Sequence, residues 1–274
     1  YIARIPDIGT AALGAVGLCF PIIVIITAFS NLFGSGGAPL FAIARGSGDK
    51  ARAGLILNLA CTLLLCCAGV LMVIGLLFAR PILVLFGASP EALQYALPYL
   101  MLYLLGTYPS MLTTGLNPFI NAQGYATAGM LSVVIGAAAN LVLDPVFIFV
   151  FGLGVRGAAL ATVLSQAVSA VWVVAFLTGK KTRWQLRRKN LRVSGQVVLP
   201  CIALGLSPFV MQSTESLIAI CFNASLLRYG GDVAVGAMTV LTSVMQFSNM
   251  PLHGLTQGAQ PIVSYNFGAR NAQR

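Results

Sequence analysis

The chain is 274 residues long, 58% hydrophobic and only 8% charged, with a formal net charge of +10 at neutral pH. Soluble domains carry about a quarter charged residues, so there is too little charge to clothe a water-facing surface and lipid must be the solvent for most of the chain. The positive excess is local: Lys180, Lys181, Arg183, Arg187, Arg188, Lys189 and Arg192 lie between two apolar runs, where they read as a cytoplasmic loop under the positive-inside rule and not as a nucleic-acid surface.

A spanning helix needs about 20 mostly apolar residues, because the hydrocarbon core is about 30 Å thick and a helix rises 1.5 Å per residue. Seven stretches qualify: 12–43, 54–79, 92–121, 126–152, 157–178, 195–225 and 233–265. Tyr1 to Pro6 reads as the stub of another. Asp49, after Gly46-Ser47-Gly48, is a cap for the second span, and Ser89-Pro90-Glu91 opens the third with a capping Ser and Pro at the first helical position. Prolines inside the spans, Pro21, Pro39, Pro109, Pro145 and Pro261 among them, predict kinks and freed carbonyls, as in transporter bundles with an internal cavity. With the 180–192 loop inside, alternation places twelve basic residues in the cytoplasm against four outside. The six cysteines all lie in apolar runs and form no Cys/His cluster, so they are read as packing residues, with no disulfide or metal site implied.

Shifting the sequence by 222 positions superposes Gly9, Ala12, Gly14, Ala15, Gly36, Pro39, Gly46 and Arg52 on Gly231, Ala234, Gly236, Ala237, Gly258, Pro261, Gly268 and Arg274 without a gap. Small residues and prolines fix backbone geometry and close helix packing, so this is the signature of an internal repeat. Six spans separate the two starts, and an even number makes the repeats parallel. The expected fold class is an all-α membrane protein, a fragment of a twelve-helix, two-lobed transporter with parallel six-helix repeats. The division is a lobe over 1–178, a basic cytoplasmic linker over 179–194 and the start of a second lobe over 195–274. With no Met at Tyr1 and a hydrophobic span ending close to Arg274, the chain is expected to be cut at both ends and unable to transport alone, lacking about four spans after Arg274 and most of one before Tyr1.

Polar residues inside spans are the candidate functional groups. Asp144 follows Asn140 by four residues and precedes Pro145, so both side chains share one helix face. Together they suit Na⁺ coordination through oxygen, or proton uptake and release at Asp144, or a polar knot pinning two helices. Glu215 lies in the patch Gln212-Ser-Thr-Glu215 and is a counter-charge for a cationic substrate or a member of a structural hydrogen-bond network. Gln246, Asn249, His253, Gln257 and Gln260 form a stripe on one helix face, and Asn249, His253 and Gln257 fall on Thr27, Asn31 and Ser35 in the repeat. Asn117 and Asn121, one turn apart, are further candidates, although a helix end tolerates Asn at small cost. No Walker loop, dinucleotide fingerprint, His-Glu-x-x-His or Gly-x-Ser-x-Gly occurs, so no cofactor and no enzyme activity are expected, and ion gradients are the expected energy source.

Three segments resemble the multidrug and toxic compound extrusion (MATE) family on its bacterial side. They are Ala12-Leu-Gly-Ala-Val-Gly through Ala44-Arg-Gly-Ser-Gly-Asp49; Asn140-Leu-Val-Leu-Asp-Pro with Gly154-Val-Arg-Gly through Thr162; and Gln257-Gly-Ala-Gln-Pro-Ile-Val-Ser-Tyr-Asn-Phe-Gly-Ala-Arg270. The resemblance implies a plasma-membrane antiporter that alternates access by rocking between V-shaped states, coupled to Na⁺ or H⁺ and exporting amphipathic, often cationic drugs. It also implies that Asn117, Asn140, Asp144 and Thr162 line a cation site, and that Glu215 matches an acidic position of the second lobe in some members. The substrate cavity is expected from Glu215, His253, Gln257, Asn249 and Asn31. A flippase for lipid-linked saccharides shares the two-lobe plan but asks for an Arg-rich cavity, and a seven-helix receptor matches the span count but not the parallel repeat.

Overall fold

The computed structural model describes residues 9–86, 88–179, 182–186, 195–271 and 273. The stub over Tyr1–Pro6 and most of the basic run, Lys180, Lys181 and Arg187 to Arg192, lie outside the described residues. The elements of the described chain are all helices: α1 (Gly9–Gly17), α2 (Phe20–Gly46), α3 (Lys50–Leu85), α4 (Pro90–Leu105), α5 (Thr107–Ala122), α6 (Ala126–Pro145, prolonged by a π-helical turn, Val146–Val150), α7 (Gly154–Thr178) and α8 (Gly195–Gly268).

Local chemistry sets these boundaries. Asp49 accepts from the Arg52 amide at 2.9 Å and opens α3, and Ser89 accepts from the Ala92 amide at 3.1 Å with Pro90 at the first position of α4. Two predicted spans are broken. Residues 12–43 divide at Leu18-Cys19, where Pro21 has no N–H with which to continue the ladder. Residues 92–121 divide at Gly106, whose amide turns back to Tyr103 O at 2.9 Å just before Pro109 removes a further donor. Each piece of that span is 16 residues, short of the length of a spanning helix on its own.

The last two predicted spans are joined in one helical element. Gly205 lies against α2 at Leu32 and Gly36, whereas Tyr265 lies against Gly46. The sixty residues between Gly205 and Tyr265 would extend about 90 Å in a straight helix, but their partners on α2 are only about 15 Å apart. The element therefore bends back on itself. Its first arm runs antiparallel to α2, from Val197 and Pro200 beside Ile43–Ser47 to Phe209, whose ring meets Phe29 at 5.0 Å. The second arm returns from Gln257, near Asn31 and Ser35, to Gly268 at Ile43. The expected loop over 226–232 is absent, and the reversal is made within helical backbone in a stretch containing Gly230-Gly231, a pair of the kind that accompanies sharp kinks.

α2 is the central element, packed by α3, α5 and both arms of α8. Phe41, Phe119, Met111, Leu64 and Leu116 are fully buried on it and on the helices packed against it. In lipid this burial adds little hydrophobic drive, so close packing holds the helices together. A Cβ added at Gly36 would overlap the Cys201 carbonyl and the Gly205 backbone, so the two helices touch backbone to backbone there. Outside, large apolar side chains such as Leu77, Val150 and Phe247 stand more than 70% exposed, as a lipid-facing surface requires.

The repeat read from the sequence appears in the contacts. Gly46 packs on Tyr265 and Gly268 packs on Ile43. Under the shift of 222 positions, 43 becomes 265 and 46 becomes 268, so each contact maps onto the other. α2 and the second arm of α8 thus meet as quasi-equivalent helices about a local two-fold axis.

Candidate functional site

Beyond that contact the two repeat-related helices enclose a cavity of about 480 Å³ with α5, α6 and α7. Ser35 and Gln257 line it as repeat-related positions, as do Pro39 and Pro261. A second cavity of about 830 Å³ continues from the first, shares Asn117, Asn121, Ala122, Val133, Gln257 and Pro261 with it, and reaches Arg45, Gly124 and Tyr265. The polar lining of the first consists of carboxamides and hydroxyls. Arg45 is the one charged residue on either wall among the described residues.

The α6–α7 register orders the site by depth. Ser169 Oγ donates to Ser132 O at 2.8 Å, and Gly136 abuts Ser165 and Ser169. The helices run antiparallel, so this register brings Thr162 level with Asn140, and both line the cavity. Asn140 Nδ2 donates to Asp144 Oδ1 at 3.4 Å, one turn further along α6. Asp144 is half-buried, at the edge of the cavity and not on its wall. Thr162 Oγ1 donates to Ala158 O at 2.9 Å within its own helix and keeps its lone pairs free. Asn140 and Thr162 therefore offer an amide oxygen and a hydroxyl at one level, with the Asp144 carboxylate one helical turn away, an oxygen donor set suited to a hard cation.

Asn117 stands elsewhere. Its Nδ2 donates to Gly129 O at 2.9 Å and Ser132 Oγ at 2.6 Å, and its Oδ1 accepts from Asn121 Nδ2 at 3.3 Å. Ser132 and Asp144 are twelve residues apart on one helix, about 18 Å. Asn117 lines the same cavity at its other end and also ties α5 to α6. Asn31 lines the cavity too, and its Nδ2 donates to Gln212 Oε1 on the first arm of α8 at 3.0 Å. Gln257 completes the predicted residues on the wall. Glu215, Asn249 and His253 are exposed on α8 and outside this lining.

Sequence reading missed Thr113, Ser165, Gln166 and Ser169, which also line the cavity. Thr113, Asn117 and Asn121 repeat at steps of four on α5, and Thr162, Ser165 or Gln166, and Ser169 repeat at three to four on α7. The one-face rule that exposes the α8 stripe also finds these. No cluster of His, Cys, Asp and Glu able to hold a metal occurs among the described residues.

The MatE family model matches residues 2–146 and 208–274. The multidrug export protein MepA of Staphylococcus haemolyticus is 27% identical over 255 residues, covering 93% of this chain and 56% of its own length. A crystal structure of MATE in the bent conformation superposes with a TM-score of 0.91 at 26% identity, over 98% of this chain and 60% of that one. The outward-facing conformation of a multidrug resistance MATE family transporter of the MOP superfamily gives 0.91 at 25%, over 99% and 60%. The chain thus spans somewhat over half the length of the proteins it matches.

Proposed function

The chain belongs to the MatE family, and from that premise we propose that it forms part of a Na⁺- or H⁺-coupled antiporter that exports amphipathic drugs, organic cations among them, by alternating access. The fold is that of a stretch of twelve-helix, two-lobed multidrug transporters. In this reading 1–178 belongs to one lobe, 179–194 is a cytoplasmic linker and 195–274 opens the second lobe. The cavity between α2 and the second arm of α8 is then part of the path between lobes, in a plasma-membrane protein.

One observation supports the coupling site: Asp144, at the edge of an uncharged polar cavity, is hydrogen-bonded to Asn140, which lines that cavity level with Thr162. A carboxylate inside a span is costly unless paired, hydrated or protonated, so such a group is retained for function. Asp144 holds the cation with Asn140 and Thr162, and Asn117 acts at the other end of the cavity, where it keeps α5 and α6 together. Asn31 and Gln257 contact the substrate. Asn249 and His253 continue the Gln257 face of α8 at steps of four and extend that polar wall, and Glu215 offers a counter-charge on the first arm. A flippase asks for an Arg-rich cavity, and here Arg45 alone is cationic among the described lining residues.

The test uses the full-length protein in proteoliposomes, with ethidium-type dye movement followed under imposed Na⁺ or H⁺ gradients. Wild type is expected to move dye with one gradient, and Asp144→Asn to lose that drive by at least tenfold. Undiminished transport by Asp144→Asn would remove the residue from the coupling site. Correctly folded wild type that moves no dye under either gradient would overturn the antiporter reading.

A further inference from the structure

Arg45 is the last basic residue of α2 and sits where the larger cavity ends. Its guanidinium donates from Nη1 to Ala122 O at 2.6 Å, which fixes it to the C-terminal end of α5. Its Cζ lies 5.6 Å from the centre of the Trp184 ring and 5.2 Å from that of Tyr265. Trp184 belongs to the segment between α7 and α8 and is docked independently: its ring meets Phe41 edge-on at 5.7 Å, and its carbonyl accepts from Gln123 Nε2 at 3.4 Å. The same segment is pinned under α7, with Leu186 N bonded to Leu177 O and Thr182 and Gln185 donating to Gly179 O. Tyr265 belongs to the second arm of α8, at the quasi-symmetric contact with Gly46. One cation therefore joins three pieces of chain, and of the three only Tyr265 lies on the repeat-related helix.

We propose that Arg45, held between Trp184 and Tyr265, is the latch that closes the linker-facing end of the cavity, and that this end opens only when Tyr265 leaves the guanidinium. Three observations make it a latch and not merely a packed side chain. The guanidinium has no carboxylate partner among the described residues, so its charge is balanced by ring faces and a backbone carbonyl. Its contacts to Trp184 and Ala122 lie within the first repeat unit and the segment docked on it, so they persist when the two units part. The contact to Tyr265 crosses between units beside a glycine packing that leaves no room for water. A cation–π contact is lost steeply as a ring swings away, which gives the closed state a defined end point. The proposal rests on the alternating-access reading for its consequence and on the cytoplasmic placement of residues 179–194 for its direction.

The experiment measures access from the linker side in the full-length protein. Ala137, on the wall of the inner cavity, is replaced by Cys in a background with Cys66, Cys67 and Cys221 changed to Ala. Labelling by a membrane-impermeant maleimide is timed in sealed vesicles of inside-out orientation. Tyr265→Leu is expected to label about tenfold faster than the parent, because it keeps bulk but has no π face. Tyr265→Phe is expected to label at the parent rate, which separates loss of the ring from general damage, and Arg45→Gln is expected to follow Tyr265→Leu. Unchanged labelling in Tyr265→Leu, equal acceleration in Tyr265→Phe, or acceleration only from the opposite face would each overturn the latch. Dye efflux by the wild-type protein is measured in vesicles of the same kind: its absence would refute the antiporter and leave the labelling comparison to decide the latch.

Discussion

Asn117 and Thr162 face one cavity with side chains of similar polarity, yet their hydrogen bonds differ in kind. The Asn117 amide bridges α5 to α6 through Gly129 O and Ser132 Oγ, whereas the Thr162 hydroxyl satisfies itself within its own turn at Ala158 O. Removing the first severs both bonds between α5 and α6 and takes the acceptor from Asn121 Nδ2, at a cost of about 1–3 kcal/mol. Asn117→Ala is therefore expected to lower the thermal unfolding midpoint in detergent by several degrees, and Thr162→Ala to leave it within a degree or so while weakening cation dependence of transport. Equal midpoints for the two variants would contradict the assignment of Asn117 to the α5–α6 tie. The Asn140–Asp144 pair was legible in the sequence because both residues share one helix and four-residue spacing is a local property. The partners of Asn117 were not, because they depend on how α6 lies against α5. Arg45 was read only as a topological charge, since nothing in its neighbourhood along the chain announces Trp184 or Tyr265.

Among elements, the instructive pair is Gly36 and Gly258, repeat partners in the sequence with opposite surroundings. A side chain at Gly36 would collide with the backbone of the first arm of α8, while Gly258 has nothing within 4 Å. Gly36→Ala is expected to destabilise by about 2 kcal/mol or more through forced separation of the helices, as overpacked sites do. Gly258→Ala is expected to be neutral or to stabilise by up to about 1 kcal/mol, since Ala is the better helix former. Melting curves of the two variants decide the matter, and a loss at Gly258 matching that at Gly36 would mean that the packing is wrongly assigned. Hydropathy located the membrane-crossing elements, because spanning length is a physical minimum that composition alone reveals. It was blind to the breaks at Cys19 and Gly106, which arise from single missing donors at Pro21 and Pro109. It also separated the arms of α8 by a loop that the chain does not make.

At the scale of the molecule, the reversal within α8 makes a direct prediction. Spin labels at Met211 and Leu255, both exposed, would stand about 66 Å apart on a straight helix, but less than about 30 Å apart if both arms return to α2. A distance distribution centred near the longer value would rule out the hairpin. The parallel repeat was legible because glycines and prolines keep their places wherever backbones must approach, and the paired contacts Gly46–Tyr265 and Gly268–Ile43 obey the same shift. Which face of α8 lines the cavity was less legible: the stripe from Asn249 to Gln260 is uniform in sequence, while only Gln257 and Gln260 of it reach the cavity wall. The docking of Trp184 also supplies an intrinsic optical probe. These 274 residues hold two tryptophans, and Trp172 is already committed to Ala128 O at 3.2 Å on the flank of α7. With Trp172 changed to Phe, the remaining indole emission within this stretch comes from a ring that stays beside the Arg45 guanidinium, so a change in its intensity or quenching would report Tyr265 leaving that cation, without an attached dye.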